Sequence, residues 1–222
     1  MIALENLRFA YPGGRFRLDV PSLDVGAGER VAVVGPSGTG KTTLLNLVAG
    51  LLRPDAGRVT VDGSDLGKLS SSQLRRFRAR TIGFVFQDFA LVEYLSAAEN
   101  ILYPFRVAPH AAIDASVRAR ARALAEACGL TGKLGRRPGA LSQGEQQRVA
   151  ICRALVTQPR LLLSDEATGN LDPANKALIL DLLFARAEAA GASILAVTHD
   201  HALLPRFDRV VDFAAFSSAE TA

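Results

Sequence analysis

At 222 residues, with 49% hydrophobic and 22% charged content, the chain suits one globular domain, or one domain carrying a modest sub-lobe. Two cysteines outside any CxxC pair point to neither a disulfide framework nor a zinc site, and fit a reducing compartment. The longest apolar stretches fall well short of the roughly 18 to 20 residues of a membrane span. The net charge of +4 reflects arginines gathered at 75–80, 118–122 and 136–137. Aromatic residues are too sparse among them for a stacking surface, so no nucleic-acid partner is expected. Solvated helix faces, or docking to a partner or an anionic surface, fit better.

Residues 1–9 (MIALENLRF) alternate like a strand and lack the basic-then-apolar pattern of a signal peptide. Strands are expected at 2–9 and 15–20, joined at AYPGG. ERVAVVG (29–35) is a buried strand running into a glycine-rich loop, and residues 41–52 have helical length. RVTVDG (58–63) reads as a hairpin strand, Ser70 to Ser72 as the cap of an arginine-rich helix, and TIGFVFQ (81–87) as another strand. From about 91 to 158 the signal is mostly helical, with breaks expected at Pro104, Pro109, Gly129, Gly132 and Pro138-Gly139. Apolar strands at 160–165 and 192–200 flank a helix over 174–190. Strands alternating with helices imply an α/β fold with a parallel sheet and ligands at its carboxyl edge. The block near 91–158 interrupts the alternation as an inserted helical lobe, and residues 214–222 look like a disordered tail.

GPSGTGKT (35–42) matches G-x-x-x-x-G-K-[ST] after a strand and before a helix, the context this phosphate-binding motif requires. Gly35, Gly38 and Gly40, with Pro36, Ser37 and Thr39, would let backbone N–H groups wrap phosphates at a helix N-terminus. Lys41 offers a compact cation to the β- and γ-phosphates, and Thr42 a hydroxyl to Mg²⁺; Thr43 follows in the first turn. Asp165 and Glu166 stand where the apolar strand runs out. Beside a phosphate loop, that placement suits Asp165 to metal binding and Glu166 to polarising water. Gln87 and His199 say nothing in isolation. Ser142 and Glu145 form a capping box, yet Gly144 sits in the first turn, where glycine weakens a helix by roughly 1 kcal/mol against alanine. Either the helix tolerates Gly144, or something approaches its positive end closely.

These motifs, in this order, resemble the ATP-binding cassette (ABC) ATPases: a phosphate loop at 35–42, Gln87, LSQGE at 141–145, LLLSDE at 161–166, GNLD at 169–172 and TH at 198–199. The resemblance covers about residues 4–213. It implies one P-loop NTPase domain over 1–222. That domain would combine a RecA-like parallel-sheet core, an N-terminal antiparallel β subdomain and the inserted α-helical subdomain. It implies ATP and Mg²⁺ as ligands, with Tyr11 stacking on adenine, or Phe9 or Phe16 if Tyr11 faces away. Gln87 would touch Mg²⁺ and the attacking water and sense a transmembrane partner. Asp172 would lie in the loop that crosses a head-to-tail dimer, His199 would contact the γ-phosphate, and Ser142, Gly144 and Glu145 would form the signature. That signature would serve the nucleotide of the other chain, which gives Gly144 its purpose. Gln143 and Glu145 depart from the usual LSGGQ, Ser164 interrupts the apolar run, and Ala167 stands where proline is common. None of these removes a catalytic group.

EATGNLD with LSQGEQQRVAICRAL is similar to the subgroup acting in lipoprotein release, macrolide export and cell-division signalling. The resemblance thus implies a homodimer, or a pair with a second ATPase subunit, working peripherally on the cytoplasmic face of the membrane with a permease. The other readings are an ATPase of a different importer or exporter, and a soluble cassette ATPase of DNA repair or translation. A single cassette with a small lobe argues against the soluble class.

Overall fold

A computed structural model describes residues 1–14, 16–108, 112–166 and 173–216. The chain opens with antiparallel strands β1 (Ile2–Ala10) and β2 (Arg17–Val25), then β3 (Arg30–Val34) runs through the loop at 35–40 into α1 (Lys41–Val48). The hairpin β4 (Ala56–Val61) and β5 (Ser64–Asp65) follows, and α2 (Ser71–Thr81) leads directly into β6 (Ile82–Val85). Three helices come next: α3 (Ala97–Val107), α4 (Ala115–Ala127) and α5 (Gln143–Leu155). Strand β7 (Leu161–Asp165), α6 (Pro173–Ala190), β8 (Ser193–Val197) and β9 (Arg209–Asp212) complete the order. Residues 213–216 form a short 3-10 turn, with Phe213 fully buried; the remainder of the expected tail lies outside the described residues.

Two sheets result. The antiparallel sheet has the order β2-β1-β4-β5, and the parallel sheet β6-β7-β8-β3-β9. Period-two alternation assigns the faces of the parallel sheet to two cores. Leu161, Leu163, Leu195 and Val197 pack with α1 and the antiparallel sheet, around Leu4, Val20 and Leu44. Leu162, Ile194 and Ala196 turn the other way, onto a core shared with Ile101, Leu124, Ile151 and Leu180. Both faces are covered, so these strands read as continuous apolar runs.

The helices begin where their sequences dictate. Capping boxes pair Ser70 with Gln73, Ser96 with Glu99 and Ser142 with Glu145. Pro104 does not break α3, contrary to the expectation. The helix continues past it to Val107, and Pro104 O accepts from Ala108 N–H at 3.1 Å. Cys128 and Cys152 are both buried; the hydrogen bond between their thiols, with burial, pushes Cys152 well up, so it stays a protonated core residue.

Candidate active site

The carboxyl ends of β3, β7, β8 and β6 bring the candidate residues together. In the loop after β3, the Lys41 side chain is buried and its ammonium donates to the carbonyls of Gly35 (2.8 Å) and Pro36 (2.6 Å). Thr39 Oγ1 donates to Pro36 O at 2.9 Å and closes the same turn. Gly40 caps α1 at φ 101°, and a Cβ there would lie 2.4 Å from Phe16 Cζ. The backbone angle favours glycine here, and a side chain would also require the Phe16 ring to move aside. Ser37 and Gly38 form the exposed crest of the loop. The loop's N–H groups and the first turn of α1 supply positive potential to an anion.

Asp165, at the end of β7, is only 3% exposed. Burial raises its pKa; the Thr42 hydroxyl, donating a hydrogen bond, and the Lys41 charge pull it down, while Glu166 and Asp88 push it up. Thr42, at the start of α1, and Asp165, at the end of β7, are thus neighbours. Glu166 follows in the left-handed region (φ 48°), its N–H donating to Val197 O at 3.0 Å. That geometry costs about 1–3 kcal/mol in a non-glycine residue. One carboxylate oxygen lies 3.3 Å from His199 Nδ1. The other accepts from Gln87 Nε2 at 3.5 Å. Three residues that the sequence scatters over 113 positions, Gln87 to His199, thus meet at one carboxylate.

Tyr11, 42% exposed, stands over the start of α1 with its hydroxyl 3.1 Å from Thr43 Oγ1. Phe9 is buried beneath it, edge-to-face at 4.8 Å, and Phe16 lies beside it at 5.8 Å. Burial leaves Phe9 no face to offer a ligand.

Ser142, Gly144 and Glu145 occupy the N-terminus of α5. Ser142 N–H donates to Glu145 Oε2 at 2.9 Å, and Lys133 pairs with the other oxygen. The Lys133 contact, then the Ser142 N–H, hold the Glu145 carboxyl below its usual range. No hydrogen bond or ion pair joins these three residues to the phosphate loop among the described residues. Asp172 lies outside the described residues. Sequence reasoning missed Lys133, Asp88 and Arg153. Arg153 alone left a trace, as a charged residue set between apolar neighbours on α5.

A strand–phosphate loop–helix unit, with a buried aspartate at the end of a parallel strand opposite it, defines a P-loop nucleoside triphosphatase core. The sequence profile of the family described as ABC transporter matches residues 18–169. The lipoprotein-releasing system ATP-binding protein LolD of Syntrophotalea carbinolica is 45% identical over 217 residues, covering 96% of this chain and 95% of that one. The macrolide export ATP-binding/permease protein MacB of Syntrophobacter fumaroxidans is 42% identical over 95% of this chain, which spans 30% of MacB. Among solved structures, the dimeric post-hydrolysis state of the ATP-binding cassette MJ0796 bound to ADP and Pi matches with a TM-score of 0.88 and 34% identity. That match covers 96% of this chain and 94% of the other. The chain belongs to the ABC transporter family, as an ATP-binding, ATP-hydrolysing subunit of the kind LolD represents. Among the described residues, no helix is long and apolar enough to cross a membrane.

Proposed function

We propose that this chain hydrolyses Mg-ATP as a head-to-tail dimer and drives a membrane permease of the lipoprotein-release or macrolide-export type, from the cytoplasmic face. The observation that carries the hydrolytic reading is the convergence of Gln87 and His199 on Glu166, beside the linked pair Thr42–Asp165.

In this reading the loop from Gly35 to Gly40 wraps the phosphates. The Lys41 ammonium leaves the Gly35 and Pro36 carbonyls for the β- and γ-phosphates, and Thr43 fixes Tyr11 so that its exposed face takes adenine. Thr42, Asp165 and Gln87 present only oxygen donors, the set that hard divalent cations prefer, which fits Mg²⁺. When bound, Mg²⁺ would neutralise charge on the phosphates. Glu166 accepts a hydrogen bond from the attacking water and orients it, Gln87 positions the same water, and His199 contacts the γ-phosphate. Ser142, Gly144 and Glu145 complete the partner subunit's site, with Lys133 offsetting the Glu145 charge; Asp172 belongs to the crossing loop.

The permease reading rests on the names of the relatives and on a groove of about 410 Å³ between β6, α2 and the helical lobe. Its lining includes the aromatic residues Phe84, Phe86 and Tyr103, with Pro104, and the basic residues Arg75 and Arg78. Apolar and basic lining together suit a cytoplasmic helix of the permease with one apolar face and an acidic residue. Co-expression with candidate permeases, affinity purification and ATPase assay test this. A stable complex with stimulated ATPase is expected, and Arg75→Glu should lower the ratio of stimulated to basal rate. Stimulation without any permease of this type would overturn the assignment.

A further inference from the structure

The polypeptide between β6 and α3 carries Gln87, and two residues later it holds an unusual pair. Phe89 (φ 62°) and Ala90 (φ 46°) are consecutive non-glycine residues in the left-handed region. Such geometry persists only where the surroundings over-determine it. The local turn supplies one restraint, Phe89 N–H to Phe86 O at 3.1 Å. The other comes from outside the segment. Arg153, near the end of α5 and 8% exposed, donates from one guanidinium nitrogen to Ala90 O at 2.5 Å and from another to Phe89 O at 2.6 Å. A rigid guanidinium fork can hold two successive carbonyls in one orientation, which a lysine ammonium cannot.

We propose that Arg153 is a positioning residue for hydrolysis: its fork holds the left-handed pair Phe89–Ala90, and through them sets where Gln87 meets Glu166. Among the described residues Arg153 makes no hydrogen bond or ion pair to the phosphate loop or to Glu166, and both of its hydrogen bonds go to this segment. It also lines the groove between β6 and the helical lobe. A partner pressing on that groove would thus bear on the residue that places Gln87. The proposal rests on the reading of Gln87 as a residue that contacts Mg²⁺ and water.

The test measures the Mg²⁺ concentration for half-maximal ATPase of the purified chain, a quantity that loss of folded fraction alone does not move. Arg153→Lys should raise it several-fold while nucleotide-binding stoichiometry holds. Ala90 is exposed, so its replacement leaves the core intact. Ala90→Val, whose β-branched side chain is a poor fit to positive φ, should raise the Mg²⁺ midpoint as Arg153→Lys does. Ala90→Gly should leave it at the parent value. Combining Ala90→Val with Arg153→Lys should add little, because both break one restraint. If Arg153→Lys does not fold, the contrast between valine and glycine at position 90 decides alone. Gln87→Ala separates the two layers. If it leaves the midpoint unmoved, the reading of Gln87 fails, and this proposal with it. If Gln87→Ala moves the midpoint while Ala90→Val does not, or the two lesions at 90 and 153 add in full, Arg153 does not position Gln87.

Discussion

His199 Nδ1 lies 3.3 Å from Glu166 Oε1, although the two residues end different strands of the parallel sheet. Glu166 makes this contact from a left-handed backbone, at φ 48°. Glu166→Gln keeps the shape and both neighbours but loses the charge that orients water. Turnover is expected to fall by about 10²- to 10⁴-fold, with ATP binding near the parent value. Single-turnover rates and nucleotide titration on the same preparation check this. Hydrolysis by Glu166→Gln at the parent rate would remove Glu166 from the role of base.

The strand that leads to Gln87 is held by close backbone packing. A Cβ on Gly83 would lie 2.3 Å from Ala154 O, and 2.8 Å from both Leu162 Cδ2 and Pro159 Cγ. The first is backbone of α5, so α5 or β6 must move. Gly83→Ala is expected to cost about 1–3 kcal/mol by overpacking, lowering Tm by about 2–4 °C per kcal/mol at this chain length. An unchanged melting curve would show that α5 yields at no cost.

The phosphate loop and the ends of β7 and β8 were legible because their chemistry is local: glycines, a lysine, and carboxylates after apolar runs. What sequence reading lost has physical causes. The expected strand over 15–20 continues through Pro21 to Val25 as β2. It is an edge strand, where an absent N–H costs no ladder bond. β9 escapes the sequence reading: four residues alternating between partly buried and exposed carry little apolar signal, and pairing with β3 makes them a strand. α1 stops at Val48 rather than 52, because Gly50 adopts φ 62° and turns the chain. Lys133–Glu145 and Arg153–Phe89 join distant segments, and no periodicity announces a pairing of that kind.

Asp165 makes stability depend on pH in an unusual direction. Its folded pKa is raised by burial above the ordinary 3.8. The native state therefore holds the proton more tightly. The resulting stabilisation is complete below the unfolded value and is lost as pH rises through the folded one. Above that folded value the nucleotide-free chain carries this carboxylate charged and buried, at a cost. Asp165→Asn should melt higher than the parent at neutral pH without Mg²⁺, with the difference closing as pH falls into the acid range. Its ATPase should be lost, and Mg²⁺ should raise the Tm of the parent alone. A lower Tm for Asp165→Asn at neutral pH would mean that the hydrogen bond from Thr42 outweighs the burial of charge.

Gly144 raises the question of which chain's nucleotide the N-terminus of α5 serves. The chain already has a complete phosphate loop, and Ser142, Gly144 and Glu145 make no hydrogen bond to it among the described residues. In a head-to-tail dimer the capped helix end would instead face the nucleotide of the partner subunit. A heterodimer of one Lys41→Ala chain and one Gly144→Asp chain then keeps one intact composite site, with both lesions in the other. Wild type paired with a chain carrying both changes has one lesion in each site. If α5 served its own chain's nucleotide, the two outcomes would exchange. Aspartate is the informative choice at position 144, because a carboxylate facing the γ-phosphate in a poorly hydrated cleft is weakly screened. The measurement is the ATPase rate of purified, differently tagged heterodimers at saturating Mg-ATP. The split pair should be the more active, and a higher rate from the wild-type/double-mutant pair would place the α5 terminus at its own chain's nucleotide.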